Sequence, residues 1–215
     1  MRPGWAAGVL VLLAGCVPNE REQRVRAYNE DGVHLFGQGD YVHARDTFQG
    51  ALALTPEDAN LHFNLGQCYD RLGRAELAEQ SYRACLQRAP NHPECRHALC
   101  VLLVRRGRRD EAVRLVEDWL KAQPRLAAAY AEDAWLWHQA GDLPQAQSRL
   151  QQALDLDPHD PRALTEMGLV YEALGYPDRA LVAYERCLDV RPNQPELVRR
   201  VNELRARGVG PPRPN

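Results

Sequence analysis

The stretch ANLHFNLGQCYDRLGRAELAEQSYRACLQRAPNH (residues 59–92) reads as two short amphipathic helices with a break after each. Numbered 1 to 34, its positions 4, 7, 8 and 11 are His62, Leu65, Gly66 and Tyr69, on one side of a first helix. Positions 20, 24, 27 and 28 are Ala78, Tyr82, Cys85 and Leu86, on one side of a second. Residues three, four and seven apart share a helix face, which is why these sets cluster. Gly73 between them suits the left-handed conformation that ends a helix. Pro90 cannot continue the backbone hydrogen-bond ladder and closes the second helix.

The same punctuation recurs along the chain. Gly39, Gly73, Gly107, Gly141 and Gly175 lie 34 residues apart, as do Pro56, Pro90, Pro124, Pro158 and Pro192. Ala44, Ala78, Ala112, Ala146 and Ala180 hold position 20; Leu52, Leu86, Leu120, Leu154 and Leu188 hold position 28. Four residue types recurring five times in one register mark a repeat architecture. Position 8 is small (Gly32, Gly66, Cys100, Ala134, Gly168), so paired helices can approach closely there. Position 24 supplies bulk through Phe48, Tyr82, Val116, Leu150 and Tyr184. Each pair retains an apolar face that it cannot bury alone, so copies must stack and the last needs a cap with a polar outer side. PELVRRVNELRARG (195–208) fits that cap, with Leu197, Val198, Val201 and Leu204 on one side and Glu and Arg opposite.

The 34-residue period and this Gly, Ala, Leu and Pro pattern resemble the tetratricopeptide repeat. The resemblance implies an all-α fold, a right-handed α-solenoid of five helix–turn–helix repeats. Their bounds are 25–58, 59–92, 93–126, 127–160 and 161–194, followed by a capping helix over 195–207 and a disordered tail over 208–215.

Ahead of the repeats, Arg2 is followed by a run from Trp5 to Val17 without a charged or strongly polar side chain. As a helix this run would measure roughly 20 Å, against a hydrocarbon core of about 30 Å, so it is short for a membrane span. A basic start, an apolar core and small residues before a cut form the layout of a secretory signal peptide. Leu13-Ala14-Gly15-Cys16 resembles the lipobox of bacterial lipoproteins. That resemblance implies a signal peptide over 1–15, removal of it, and acylation of Cys16 as residue one of the mature chain. Several acyl chains on one residue meet the requirement that stable anchoring takes more than one. Val17 stands where inner-membrane retention would use Asp, which points to the periplasmic face of the outer membrane. Residues 16–24 then serve as anchor and linker, and Val17 to Arg24, fully extended, reach at most about 28 Å.

A formal charge of −2, or −3 once Arg2 is removed, argues against nucleic acid, which requires a basic face. No glycine-rich phosphate loop, Gly-x-Ser-x-Gly elbow or His-Glu-x-x-His motif occurs, so no catalytic residue, cofactor or small-molecule substrate is expected. NHPECRHALC (91–100) offers metal-ligand types in His92, Cys95, His97 and Cys100. At about 100° per helical residue, Cys95 and His97 point roughly 160° apart, so packing is the expected role. Besides Cys16 there are five cysteines, Cys68, Cys85, Cys95, Cys100 and Cys187. An odd number leaves at least one free, and Cys68 with Cys95 or Cys100 is the neighbouring pair where a disulfide would add stability.

Function in such an array belongs to its concave surface. The resemblance places that wall on first-helix positions 2, 5, 9, 12 and 13. Mapped onto this chain, it holds Asn29, Val33 and Phe36, then Asn60, Phe63, Gln67, Asp70 and Arg71. It continues through His97, Val101, Val104 and Arg105, then Trp135, His138 and Gln139, and ends with Arg162, Thr165, Leu169 and Glu172. Phe36, Phe63, Val101, Val104, Trp135 and Leu169 are expected to be exposed between polar neighbours, as at a partner surface. The family's carboxylate clamp is matched only by Asn64. Three features depart from the pattern: Trp119 at the normally small position 27, Asp31 and Asp133 at the normally apolar position 7, and the arginine-rich turn RRGRRDE (105–111). Interior Asp133 requires a hydrogen-bonding or Arg partner.

The expected function is a membrane-anchored interaction scaffold holding an envelope protein or peptide in its groove. It is similar to the tetratricopeptide lipoproteins that assist type IV pilus secretin assembly. The alternative is an adaptor for cell-wall hydrolases or outer-membrane protein assembly.

Overall fold

The computed structural model describes residues 19–210. The signal peptide expected over 1–15, the lipidation expected at Cys16 and the last five residues of the chain fall outside the described residues. Eleven α-helices occupy the described chain. They are α1 (Glu20–Gly37), α2 (Tyr41–Leu54), α3 (Ala59–Arg71), α4 (Ala75–Arg88), α5 (Pro93–Arg105), α6 (Arg109–Ala122), α7 (Ala127–Gln139), α8 (Leu143–Leu156), α9 (Pro161–Ala173), α10 (Pro177–Val190) and α11 (Pro195–Ala206). Among the described residues there is no strand, and no helix long and apolar enough to cross a membrane.

The second helices α2, α4, α6, α8 and α10 each stop two residues before the repeat proline. The residue ahead of a proline is driven out of the helical region, and the ladder ends there. Gly39, Gly73, Gly107, Gly141 and Gly175 all have φ between 70° and 83°, the left-handed region that ends the first helices. The chain divides into two compact units between Arg88 and Ala89. In the first, α1 packs on α2 and α3 on α4; in the second, α5 to α10 form three hairpins and α11 lies on α10.

Inside each hairpin the second helix lays its position-24 side chain on position 8 of the first. An added Cβ on Gly32 would stand 2.6 Å from Phe48, on Gly66 2.6 Å from Tyr82, and on Gly168 2.1 Å from Tyr184. Real Cβ atoms do not approach so closely, so these rings require glycine. In the two remaining hairpins the pair is Cys100 with Val116 and Ala134 with Leu150, all four at 0% exposure. Less bulk above is matched by more below, and the ridge between the helices stays filled.

Several expectations need correction at the ends. The linker over 16–24 is shorter than expected, because α1 begins at Glu20. Asn19 accepts from the Glu22 backbone N–H while the Glu22 carboxylate reaches back, and this capping box nucleates the helix early. Arg21 then donates to the Leu54 carbonyl at the end of α2. On α11, Leu197, Val201 and Leu204 are buried but Val198 is 40% exposed, one position outside the stripe. The first residues of the tail expected from 208 are ordered. Gly208 turns at φ 78°, Val209 donates to the Leu204 carbonyl at 3.1 Å, and its side chain packs on the second unit's core.

The departures from the pattern have local causes. Trp119 is buried, donates its indole N–H to Asn91 Oδ1 at 3.0 Å, and lies under the Arg96 guanidinium, 4.4 Å from its carbon. Asp31 is exposed. Asp133 is met by Arg149 Nε at 2.8 Å, though that N–H does not point along the contact, so the pairing is Coulombic rather than a hydrogen bond. Burial outweighs this partner and holds the Asp133 carboxyl above the ordinary carboxylate range. All five cysteines among the described residues are buried free thiols, and the pairing left open for Cys68 with Cys95 or Cys100 is not formed. Burial pushes the Cys68 thiol up to about 11. The Cys100 thiol is likewise held well above its ordinary value, by burial first and then by the neighbouring Glu132 charge.

The ring-on-glycine contact has a measurable consequence. Gly168→Ala is expected to lose about 1–3 kcal/mol in urea unfolding through overpacking against Tyr184. Gly37→Ala, with nothing near its Cβ and no positive φ, is expected to be neutral or stabilising. Equal losses in the two variants would remove that contact from the account.

Candidate functional site

In the second unit the first helices α5, α7 and α9 lie in sequence, and their shared face is polar at its floor. Glu132 on α7 is 0% exposed, a carboxylate wholly inside the protein. It is held by His97 Nδ1 of α5 at 3.1 Å and by Arg162 Nη1 of α9 at 2.5 Å. A buried charge is tolerable only with such partners on it. Farther along α7, His138 Nδ1 meets Glu166 Oε1 of α9 at 2.5 Å. Three first helices are thus stitched by two histidine–carboxylate pairs and one arginine. The Trp135 ring stands edge-on to His97, with centroids 5.0 Å apart, and stays half-buried.

These groups open onto a cavity of about 280 Å³. Its lining includes His97, Trp135, Pro161, Arg162, Thr165 and Glu166, with Arg191 and Gln194 from the loop after α10. Thr165 and Gln194 also line a second cavity of about 610 Å³, which continues past Leu169 to Leu197, Arg199 and Arg200. At that end Glu172 accepts from the Tyr184 hydroxyl at 2.8 Å and from Arg200. Burial first, then the Glu172 carboxylate, raises the Tyr184 hydroxyl well above its ordinary value.

In the first unit the corresponding face is built differently. Asn64 donates to Asn29 Oδ1 at 3.2 Å, joining α3 to α1. Phe36 packs edge-on to Tyr41 with centroids 5.1 Å apart, and the Arg71 guanidinium sits 5.9 Å from both rings. Phe63 lies against Tyr82 at 6.1 Å, and Val33 is 54% exposed.

The expected exposure of the wall residues is therefore only partly met. Phe36, Phe63, Val101, Val104, Trp135 and Leu169 are all half-buried; Phe36, Phe63 and Trp135 lean on neighbouring rings and Leu169 on the second unit's core. Gln67, Asp70, His138 and Glu172 are half-buried too. His97, Trp135, His138, Leu169 and Glu172 are gathered around the two cavities and their salt bridges, whereas Val101 and Val104 line neither. The four residues of the NHPECRHALC segment serve structure. His92 Nδ1 caps α5 by accepting from the Cys95 N–H, Cys95 and Cys100 are buried, and His97 serves Glu132. Glu132 and Glu166 were missed by the facial rule, yet both occupy position 6, the position of Asn64. Carboxylates 34 residues apart at one register were the available signal. Arg191 and Gln194 lie in a loop, which a helix-face rule cannot reach.

Comparison with known proteins finds two family models described as tetratricopeptide repeat. One matches residues 30–93, the other residues 73–132 and 138–202. Cellulose synthase operon protein C of Pseudomonas fluorescens is 30% identical over 168 residues, which are 74% of this chain and 13% of that protein. The PEX5-related protein of Homo sapiens is 24% identical over 191 residues, 83% of this chain and 30% of its own length. The chain thus spans a small part of these relatives. A thermophilic repeat protein of Thermus thermophilus superposes with a TM-score of 0.66 at 23% identity, covering 85% of this chain and 99% of that one. Pseudomonas aeruginosa PilF superposes with a TM-score of 0.57 at 17% identity, covering 88% of each. At these identities the structural likeness concerns architecture alone.

Stability reports on the buried carboxylate. Arg162→Met is expected to cost about 3 kcal/mol, because it leaves Glu132 inside the protein without its cationic guanidinium partner. Adding Glu132→Gln should restore part of that loss, since the uncompensated charge is then gone. Urea melts of the two variants that show no recovery in the double substitution would mean that the three groups are not coupled.

Proposed function

The chain belongs to the tetratricopeptide-repeat family, whose domains bind protein or peptide partners, and from this premise we propose that it is a lipid-anchored scaffold of the bacterial cell envelope. The scaffold holds a segment of a partner protein on its first-helix faces. The observation that carries the reading is the cavity beside Trp135, where a half-buried indole is bordered by polar groups already fixed by one another. Such a surface binds with little side-chain ordering left to do, which favours affinity. The role is to hold rather than to transform, as in the family generally.

The anchor is proposed from Leu13-Ala14-Gly15-Cys16 and its position just before the repeats. With Val17 after the cysteine, the proposed location is the periplasmic face of the outer membrane. Within that setting the proposed task is assistance to type IV pilus secretin assembly, supported by the resemblance of a lipobox followed at once by repeats.

Two site-specific variants in the native host test this. A photo-crosslinking amino acid at 135 should capture an envelope protein, while the same group at Leu77, which is 42% exposed, should not. Cys16→Ala should move the chain out of the membrane fraction and abolish its labelling by palmitate. Capture at 77 but not at 135 would reject the face, and unchanged fractionation would reject the anchor.

A further inference from the structure

The second unit's trough has a charge pattern that its sequence register does not reveal. Its carboxylates are engaged: Glu132 is sealed inside, Glu166, 7% exposed, is bound to His138, and exposed Glu196 in the second cavity is paired with Arg199. Two arginines face the cavity instead. Arg162 keeps part of its guanidinium at the surface while one nitrogen serves Glu132. Arg191 is exposed, and its guanidinium makes no hydrogen bond or ion pair among the described residues. Solvent entering beside Trp135 therefore meets two guanidinium groups next to an aromatic edge, while the nearby carboxylates are already engaged by His97, Arg162 and His138.

We infer that this trough takes an internal, extended, acidic segment of a partner protein, with an Asp or Glu side chain on Arg191 and Arg162 and an adjacent apolar side chain against Trp135. The inference rests on the scaffold reading above and narrows its partner. Charge complementarity favours the acid: a carboxylate arriving between two guanidinium groups completes pairs that the protein leaves open on one side. The arrangement of the cavities favours an internal segment over a chain terminus. The cavity beside Trp135 shares Thr165 and Gln194 with the larger one beside Leu169, so the two adjoin along one face. A through-running strand of residues fills both, with its next apolar side chain over Leu169 and Leu197.

The test is selection of peptides on the immobilised full chain from a random octapeptide library, acetylated and amidated so that no terminal charge is present. Retained peptides are sequenced by mass spectrometry. The wild-type chain is expected to enrich Asp and Glu roughly fivefold, the return on one partly exposed charge contact. Arg191→Glu, at an exposed position whose loss leaves helix content unchanged by circular dichroism, should abolish or reverse that enrichment. Trp135→Ala should reduce retention of all peptides. Apolar peptides retained through Trp135 without acidic enrichment would leave the scaffold reading standing and overturn this one. Acidic enrichment that survives Arg191→Glu would also overturn it. So would ligands that appear only in a parallel library with a free terminal carboxylate. Retention unaffected by either substitution, or no retention at all, would overturn both readings.

Discussion

The contact between a bulky position-24 side chain and a small position-8 residue governs the geometry of each hairpin. Where position 8 is glycine, the ring of Phe48, Tyr82 or Tyr184 occupies the space in which a Cβ would stand. The two helices of a pair are thereby fixed face to face, and the burial of Ala44, Ala78, Ala112, Ala146 and Ala180 at position 20 follows from that closeness. Once a hairpin is so closed, the first helix has one stripe left over. Its chemistry is free to vary, because the packing no longer depends on it.

That freedom is visible in how the two units use the stripe. In the first unit, Asn64 and Asn29 share a neutral hydrogen bond, and Phe36, Tyr41 and Arg71 form an aromatic–cation cluster. In the second, position 6 carries Glu132 and Glu166, and the same register becomes an ionic network. Burying a carboxylate entirely is costly, so it persists only where flanking helices supply the partners. His97, Arg162 and His138 do so from α5, α9 and α7. The network orients the cavity-lining groups before any partner arrives, and it keeps the carboxylates of Glu132 and Glu166 engaged while leaving the Arg191 guanidinium outside.

Architecture was legible because it is written five times. A glycine, an alanine, a leucine and a proline in fixed register locate helices, turns and small contact positions, and these placements match the observed helices to within a few residues. The ends were less legible because they lack a second copy: the capping box at Asn19 and the turn at Gly208 depend on single residues. Of the candidate site, facial geometry located His97, Trp135, His138 and Leu169 near the cavities. It overstated their exposure because it ignored packing between neighbouring first helices. Glu132, with Arg162 on one side and His97 on the other, needed a relation between three different repeats. Arg191 needed a loop path that no periodicity encodes.

Trp119 at position 27 and Trp135 at position 9 lie on opposite sides of the packing, and hydroxyl-radical footprinting read by mass spectrometry compares them directly. Trp135, at position 9 with an edge to solvent, should oxidise readily in the free protein, whereas Trp119, 2% exposed beneath Arg96, should resist. Equal oxidation of the two, or protection of Trp135 in the free chain, would contradict a first-helix face left open for a guest.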